Sequence, residues 1–296
     1  MPAWRRHPGP DDRFMIRILF IALAFTVLTL VLLPFQVIGI AFDLRLQRTI
    51  PHLYHRILCK LIGVRITEVG RRSAASPALI LSNHVSWLDI CVITALAPVV
   101  FVAKSEVARW PVFGWLAKLQ RTIFINRQAR HQTGAATREI GDRMLGGDAV
   151  VLFAEGTSSD GIRVLPFRSS LVGAVHHALG NGTHHTHVTV QPMSLAYVRF
   201  GGLPMGRSLR ERVAWYGDVD LIPHLLQVLS SGAIDVTVSW GEAVAHDMSA
   251  DRKAIARDAE KSVRRMTIRA LRALPPPRTP SAPAPEPPAQ PQPELA

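Results

Sequence analysis

The stretch Ala78-Leu-Ile-Leu-Ser-Asn-His-Val-Ser-Trp-Leu-Asp89, with the apolar residues that follow it up to Leu96, decides the fold. Its first part, Ala78–Ser82, is an unbroken apolar run typical of a strand buried on both faces, as in the middle of a parallel sheet. The apolar run Leu88–Leu96 then predicts a helix. A second run, Ala149–Ala154, repeats the strand pattern and is again followed by a polar loop. Together these runs predict an α/β fold: a single domain with a largely parallel mixed sheet flanked by helices.

Short β-rich runs alternate with helical segments along the rest of the chain. A basic amphipathic helix is predicted at Leu46–Ile62, and a charged helix at about Ala250–Leu274 ends where Pro275 begins a proline-rich segment. The predicted strands are Val64–Val69, Ala78–Ser82, Val99–Ala103, Thr122–Ile125, Ala149–Ala154, Val188–Ala196, Ala214–Gly217 and Ile234–Trp240.

An apolar segment precedes this domain. The 25 residues between Arg17 and Asp43 are uncharged, and Pro34 interrupts them. A helix of that length reaches across a hydrocarbon core of ~30 Å, whereas a break at the proline favours a re-entrant hairpin. A buried core helix is the alternative. We expect a membrane anchor over residues 1–48, the folded domain over 49–274, and a disordered or extended tail over 275–296.

The composition excludes several classes of protein. Hydrophobic residues make up 48% of the chain, which excludes a disordered chain, because a disordered chain lacks the apolar area for a core. The net charge of +12 favours anionic partners, among them nucleic acid, acidic lipid and phosphorylated molecules. Only Cys59 and Cys91 are present, so a disulfide scaffold and a CxxC metal or redox site are excluded.

A histidine and an aspartate follow the first buried strand. The Ser86-x-x-Asp89 spacing of a capping box makes Ser86 the expected N-cap, with the Asp89 carboxylate reaching back over the helix start towards His84. A carboxylate in that position fixes the imidazole tautomer and leaves the other nitrogen free to remove a proton. The alternative is a helix cap beside an inert loop histidine.

Two further segments could carry chemistry. The loop Glu155–Gly161 contains two glycines, three hydroxyl side chains and two carboxylates, a composition that suits an anionic or polyol ligand or simply a tight turn. It lacks the G-x-S-x-G nucleophile elbow and any Walker or GxGxxG pattern. The second segment gathers histidines, but glycines between its two clusters break the helical spacing that a metal site needs. These histidines are His176, His177, His184, His185 and His187.

Four ordered motifs resemble those of the glycerolipid acyltransferase family typified by bacterial 1-acylglycerol-3-phosphate acyltransferases. They are Asn83-His84-x4-Asp89 (an HX4D motif), Phe124-Ile125-Asn126-Arg127, Glu155-Gly156-Thr157 and Val190-Gln191-Pro192-Met193. The resemblance spans about residues 50–245. It implies transfer of a fatty acyl group from an acyl carrier protein or coenzyme A thioester to a lysolipid hydroxyl, without a covalent acyl-enzyme.

The resemblance also implies roles for individual residues. His84 would be the base and Asp89 would orient it. Arg127, Glu155, Gly156 and Thr157 would hold the acceptor head group, with Lys104 and Arg168 as further anion contacts, while Val190, Pro192 and Met193 would shape the acyl-donor pocket. The implied partners are the lysolipid, the thioester carrier and membrane lipids, without nucleic acid, metal or cofactor. The implied location is the cell inner membrane, with the domain facing the cytoplasm.

Two departures from the family pattern bear on the acceptor. Members acting on phosphatidate precursors usually carry arginine directly after Glu-Gly-Thr and aspartate before the arginine of the second motif. This chain has Ser158 and Asn126 there. The run from Glu155 to Phe167 also resembles the branch that acylates lyso-ornithine lipid, an acceptor without phosphate, although Arg163 or Arg168 could replace the missing cation. The expected acceptor is 1-acyl-sn-glycerol-3-phosphate, with lyso-ornithine lipid as the alternative. An alternative outside the enzymes is a non-catalytic, membrane-anchored, basic lipid-binding protein.

Overall fold

The computed structural model describes residues 12–126, 133–180 and 185–273. Its strands are β1 (Val64–Val69), β2 (Ala78–Ser82), β3 (Val100–Lys104), β4 (Ile123–Ile125), β5 (Ala149–Phe153), β6 (Val188–Phe200), β7 (Leu203–Pro204), β8 (Ile234–Trp240) and β9 (Val244–His246). Its helices are α1 (Asp12–Ala41), α2 (Leu46–Ile62), α3 (Leu88–Leu96), α4 (Phe113–Leu119), α5 (Thr133–Leu145), α6 (Ala174–Gly180), α7 (Arg207–Arg210), α8 (Leu221–Ser230) and α9 (Arg252–Leu271). The predicted tail at 275–296 lies outside the described residues.

The strands form one mixed, mostly parallel sheet in the order β1-β8-β6-β2-β5-β3-β4. Five neighbours, from β6 to β4, are parallel to one another. Strand β8 runs antiparallel to β6, and β1 is parallel to β8. The short strands β7 and β9 pair antiparallel with β6. This architecture confirms the predicted fold class.

Strand β2 lies inside the sheet and is covered on both faces, which explains its unbroken apolar run. All five of its residues are buried. Ile80 belongs to a cluster that includes residues of α2, α3 and α8, whereas Leu79 and Leu81 belong to a cluster with residues of α5, α6 and α9. The two clusters form the two layers of the core.

The segment Ala214–Gly217, predicted as a strand, is not one. It runs through irregular backbone and turn, and the Trp215 amide donates a hydrogen bond to the Val85 carbonyl (2.9 Å). Ala214 is buried in the main core cluster and the half-buried Tyr216 packs against it, without pairing in the sheet, so composition alone gave the wrong assignment. Strand β6 extends to Phe200, four residues beyond its predicted end.

The N-terminal segment forms one continuous helix, α1, with Pro34 inside it. Within the described residues, Met15–Ala41 is the one helix long and apolar enough to cross a membrane, and only 6% of its most apolar window is buried. Arg17 fixes this helix to the domain, because its guanidinium donates to the carbonyls of Ile62 (2.7 Å) and Leu229 (2.9 Å). These carbonyls belong to the C-terminal turns of α2 and α8, where cations are favourable.

Candidate active site

Polar residues from four loops meet at one edge of the sheet. Because β2, β3, β4 and β5 are parallel, their carboxyl ends lie together, and ligands of such sheets bind beyond those ends. His84 follows β2, Lys104 ends β3 with its side chain exposed, Asn126 follows β4 and Glu155 follows β5. Most of the predicted site residues therefore lie at this edge. Arg127 lies outside the described residues.

His84 and Asp89 form a hydrogen-bonded pair at this edge. The ring nitrogen Nδ1 of His84 lies 2.8 Å from Oδ2 of Asp89. Asp89 is fully buried, whereas the His84 side chain is 17% exposed. No residue in the described part of the chain hydrogen-bonds Nε2 of His84. A buried carboxylate on Nδ1 and an open Nε2 form the arrangement that a general base requires.

The Asp89 carboxylate also organises the backbone around it. Its Oδ2 accepts hydrogen bonds from the amides of Val85 (2.6 Å) and Ser86 (3.0 Å), so it reaches back over the helix start as its spacing predicts. The prediction of Ser86 as N-cap is wrong by one residue, because α3 begins at Leu88 and Trp87 occupies the cap. The Ser86 amide nevertheless binds the Asp89 carboxylate, as in the predicted capping box.

Tyr197 and Asn83 support this pair, and the sequence pattern did not reveal either role. The Tyr197 hydroxyl donates to Oδ1 of Asp89 (2.7 Å). Burial, together with the Asp89 carboxylate, raises the pKa of the Tyr197 phenol well above its ordinary value, which keeps the hydroxyl protonated as a donor. The Asn83 side chain bonds both the carbonyl and the amide of Leu195 in β6. Each of these contacts joins residues more than a hundred positions apart in sequence. Local spacing does not encode such contacts.

The loop after β5 hydrogen-bonds the backbone of His84. Glu155 is 2% exposed, and its two carboxylate oxygens accept hydrogen bonds from the amides of His84 (3.0 Å) and Leu165 (2.7 Å). Ser159 donates to the His84 carbonyl through its amide at 2.9 Å. The His84 backbone is thus fixed at both its amide and its carbonyl.

Two glycines of this loop adopt conformations that side chains disfavour. Gly156 has φ +77° and Gly161 has φ +68°. A Cβ on Gly161 would also lie 2.9 Å from Cγ1 of Val85, beside the His84–Asp89 pair. The loop therefore needs glycine at these positions. Thr157, between them, is exposed.

Glu155 should make stability depend on pH. Burial raises the pKa of its carboxyl from 4.5 to about 7, partly offset by the two amide donors. A raised pKa means that the folded state binds the proton more tightly, so this contribution to stability is complete below pH ~4.5 and is lost as pH rises through ~7. At 1.36 kcal/mol per pH unit the loss is roughly 3 kcal/mol.

Thermal unfolding of the wild type and of Glu155→Gln between pH 4.5 and 8 checks this prediction. We expect the melting temperature of the wild type to fall more over this range than that of Glu155→Gln, which cannot titrate. Glu106→Gln, at an exposed position, should keep the wild-type slope. Equal slopes in all three proteins would show that Glu155 does not bind a proton in this range.

A cavity of about 120 Å³ lies beside the Glu155–Thr157 loop. Its polar lining includes Asn126, Arg168 and Ser170, together with Gly156. The backbone amide of Arg168 donates to the Ala154 carbonyl (2.8 Å). This bond fixes the Arg168 backbone beside the end of β5. A guanidinium with neutral hydrogen-bonding groups around it suits a carboxylate or phosphate oxygen.

The fourth motif lies inside the sheet. Val190, Pro192 and Met193 are buried residues of β6, directly beside β2. Val190 and Met193 belong to opposite layers of the core. The amide group of Gln191 ties the strand to its surroundings by donating to the carbonyls of Arg71 (2.9 Å) and Gly241 (3.0 Å). The role of Val190, Pro192 and Met193 in an acyl-donor pocket stays a prediction.

Two described histidines of the histidine-rich segment, His176 and His177, have separate partners. Nε2 of His176 contacts the Ala250 carbonyl (2.8 Å), and Nε2 of His177 lies 3.2 Å from Asp142. Within residues 12–126, 133–180 and 185–273, no group of three or more His, Cys, Asp or Glu side chains is placed to hold a metal ion. His184 lies outside those ranges.

Comparison with known proteins identifies the family. Residues 63–196 match the family model described as Acyltransferase. The chain is 48% identical over 256 residues to a lyso-ornithine lipid O-acyltransferase from Brucella abortus (strain 2308), covering 86% of this chain and 96% of that protein. It is 31% identical over 199 residues to a 1-acyl-sn-glycerol-3-phosphate acyltransferase from Neisseria gonorrhoeae, covering 67% and 72%.

The fold has a counterpart among solved structures. The crystal structure of the 1-acyl-sn-glycerophosphate acyltransferase from Thermotoga maritima matches with a TM-score of 0.57 and 20% identity, over 86% of this chain and 96% of that one. With this fold, and with the matched segment containing the His84–Asp89 pair and the Glu155 loop, the chain belongs to the acyltransferase family and is an acyltransferase enzyme.

Proposed function

We propose that this enzyme moves a fatty acyl group from an acyl carrier protein or coenzyme A thioester to the hydroxyl of lyso-ornithine lipid. The observation that carries the chemistry is the His84–Asp89 pair, with Nδ1 held at 2.8 Å and Nε2 open at the carboxyl edge of the sheet. The observation that favours this acceptor is the 48% identity to a lyso-ornithine lipid enzyme over nearly its whole length.

In the proposed reaction, Nε2 of His84 removes the proton of the acceptor hydroxyl as its oxygen attacks the thioester carbonyl. The C–O bond forms, the C–S bond breaks, and the proton passes to the departing thiolate. Asp89 stabilises the imidazolium that exists between these two events. The amides of Val85 and Ser86 already bind Asp89, so donors for the oxyanion must come from other groups.

The head group of the acceptor would bind beside the Glu155–Thr157 loop. Ornithine carries a carboxylate and an ammonium group, and the Arg168 guanidinium in the neighbouring cavity suits the carboxylate. Ser158 stands where phosphatidate-forming relatives usually have arginine, so a bidentate cation for a phosphomonoester is missing there. Lys104 and Arg127 are further candidates for contacts with the head group.

Helix α1 and the net positive charge would keep the enzyme at an acidic membrane surface, where its lipid acceptor is found. The proposed location is the inner membrane, with the domain on the cytoplasmic side. The proposed chemistry needs no metal or redox cofactor, because the thioester supplies the activated acyl group.

Acyl transfer with two acceptors in parallel tests the proposal. Membranes bearing the full-length chain, given a labelled acyl thioester, should acylate lyso-ornithine lipid at least about tenfold faster than 1-acyl-sn-glycerol-3-phosphate, because the missing cation weakens phosphate binding. Ser158→Arg should narrow this ratio, and Ser158→Ala is its control. A preference for the phosphate acceptor in the wild type would favour the second candidate, phosphatidate synthesis, which the 31% identity to the Neisseria gonorrhoeae enzyme supports.

A further inference from the structure

A second polar cavity lies at the opposite edge of the sheet. It has a volume of about 230 Å³, and its walls include Ala78 and Ala149, the first residues of β2 and β5. His84 lies beyond the other end of β2. At about 3.3 Å per residue along the strand, the cavity is roughly 15–20 Å from His84, so it does not belong to the catalytic site.

Arginines dominate the charge of this cavity. Arg48, Arg72 and Arg121 line it, together with one carboxylate, Asp148. Arg121 binds the two Asp148 oxygens through both terminal nitrogens (2.9 and 2.7 Å), and Nε of Arg48 lies 2.9 Å from the same carboxylate. A single carboxylate balances one guanidinium, so positive charge remains in excess.

Arg72 supplies the uncompensated charge. Its side chain is half-buried and lines the cavity, yet it has no hydrogen-bond or ion-pair partner in the part of the chain that the structure describes. Burial lowers the pKa of its guanidinium, since desolvation is not offset by a carboxylate. A bound anion would offset the partial desolvation of this cation.

The cavity also lies close to the end of the apolar helix. Arg48 is in the first turn of α2, and only four residues separate α2 from the last residue of α1. Gln36 of α1 donates to the Gln47 carbonyl (3.2 Å), which holds the two helices together at this end. If α1 lies in a bilayer, the level at which it ends is that of the lipid head groups.

We propose that this arginine-lined cavity binds the phosphate group of an anionic membrane phospholipid, at a site separate from the catalytic edge. Arg72 is its principal ligand, and Arg48 and Arg121, oriented by Asp148, complete it. Ser76 and Gln120 in the wall offer neutral hydrogen-bonding groups to the phosphate oxygens. The excess positive charge of the chain is thus partly concentrated where it contacts lipid.

Calorimetric binding to the full-length chain in neutral detergent tests this proposal. The probes are dihexanoylphosphatidylglycerol, inorganic phosphate, and dihexanoylglycerol, which lacks phosphate. We expect the first probe to bind, and Arg72→Gln to weaken this binding at least about tenfold, as the loss of a charge-assisted contact does. Arg71→Gln, which removes the same charge from the exposed neighbouring residue, should leave the affinity within about twofold.

The three probes separate the possible outcomes. Binding of the phosphatidylglycerol that depends on Arg72, with weaker binding of inorganic phosphate, supports a lipid head-group site. Equal binding of inorganic phosphate, also dependent on Arg72, supports the phosphate site and assigns it to a free anion. Equal effects of Arg72→Gln and Arg71→Gln, or binding of dihexanoylglycerol as strong as that of the phospholipid, would overturn the proposal.

Discussion

His84→Ala is expected to lower kcat/KM for acyl transfer by roughly 10³-fold or more, because the acceptor hydroxyl then has no base aligned with it. Nε2 of His84 is open at the carboxyl edge of the sheet, while Nδ1 is bound to Asp89 at 2.8 Å. The rate of product formation from a labelled thioester and the lysolipid, in membranes carrying equal amounts of each protein, measures the effect.

The control for this variant separates chemistry from folding. The His84 side chain is partly exposed, although its ring stacks on Phe153 with centroids 4.0 Å apart. The melting temperature should therefore change only modestly. His187→Ala, at an exposed position outside the site, should keep wild-type transfer. Transfer by His84→Ala within about threefold of the wild type would contradict the assignment of His84 as the base and require another group to activate the acceptor hydroxyl.

Asp89→Asn is expected to lower both activity and stability. The buried carboxylate accepts hydrogen bonds from Tyr197, Val85 and Ser86 as well as His84. An amide cannot accept all of these, and it cannot stabilise the imidazolium. We expect roughly a 10²- to 10⁴-fold loss of kcat and a loss of about 2–4 kcal/mol in the free energy of unfolding.

Two measurements distinguish these effects of Asp89→Asn. Transfer is assayed at a temperature where the variant is folded by thermal unfolding, and denaturant unfolding gives its stability. Asp142→Asn, with 66% of its side chain exposed, is the matched control and should lose neither activity nor more than about 0.5 kcal/mol. A folded Asp89→Asn protein with full activity would show that the carboxylate is only a helix cap.

The sequence pattern predicted the centre of the sheet better than its margins. Continuous apolar runs predicted β2 and β5, because strands covered on both faces need apolar residues at every position. The short strands β7 and β9 carry no such signal, since each pairs only with two or three residues at one end of β6. The segment Ala214–Gly217 packs on the core through Ala214 and Tyr216 without pairing in the sheet. Composition does not separate such a segment from a paired strand.

The His84–Asp89 contact was predictable because the two residues are five positions apart and follow a strand that the pattern identifies. Tyr197 was not predictable, because its contact with Asp89 depends on β6 lying next to β2. The family resemblance predicted that Glu155 holds the acceptor head group, but it did not indicate that both carboxylate oxygens of Glu155 bind backbone amides. Contacts of this kind depend on the tertiary packing of loops.

The comparisons favour a different acceptor from the one that the sequence analysis placed first. The family resemblance placed 1-acyl-sn-glycerol-3-phosphate first, whereas the relative with 48% identity is a lyso-ornithine lipid enzyme. The residues that pointed to this alternative, Ser158 and Asn126, were visible in the sequence as departures from the usual motifs. At Ser158 the physical meaning is the loss of a cation suited to a phosphomonoester acceptor.

Thiol release from an acyl thioester, followed with and without lyso-ornithine lipid, tests direct acyl transfer by this site most directly. We predict that the purified enzyme releases thiol only when the acceptor is present, in an amount equal to the O-acylated lipid formed. The intact mass of the protein should stay unchanged. Thiol release without acceptor, accompanied by a protein that has gained the mass of one acyl group, would contradict direct transfer to a hydroxyl activated by His84.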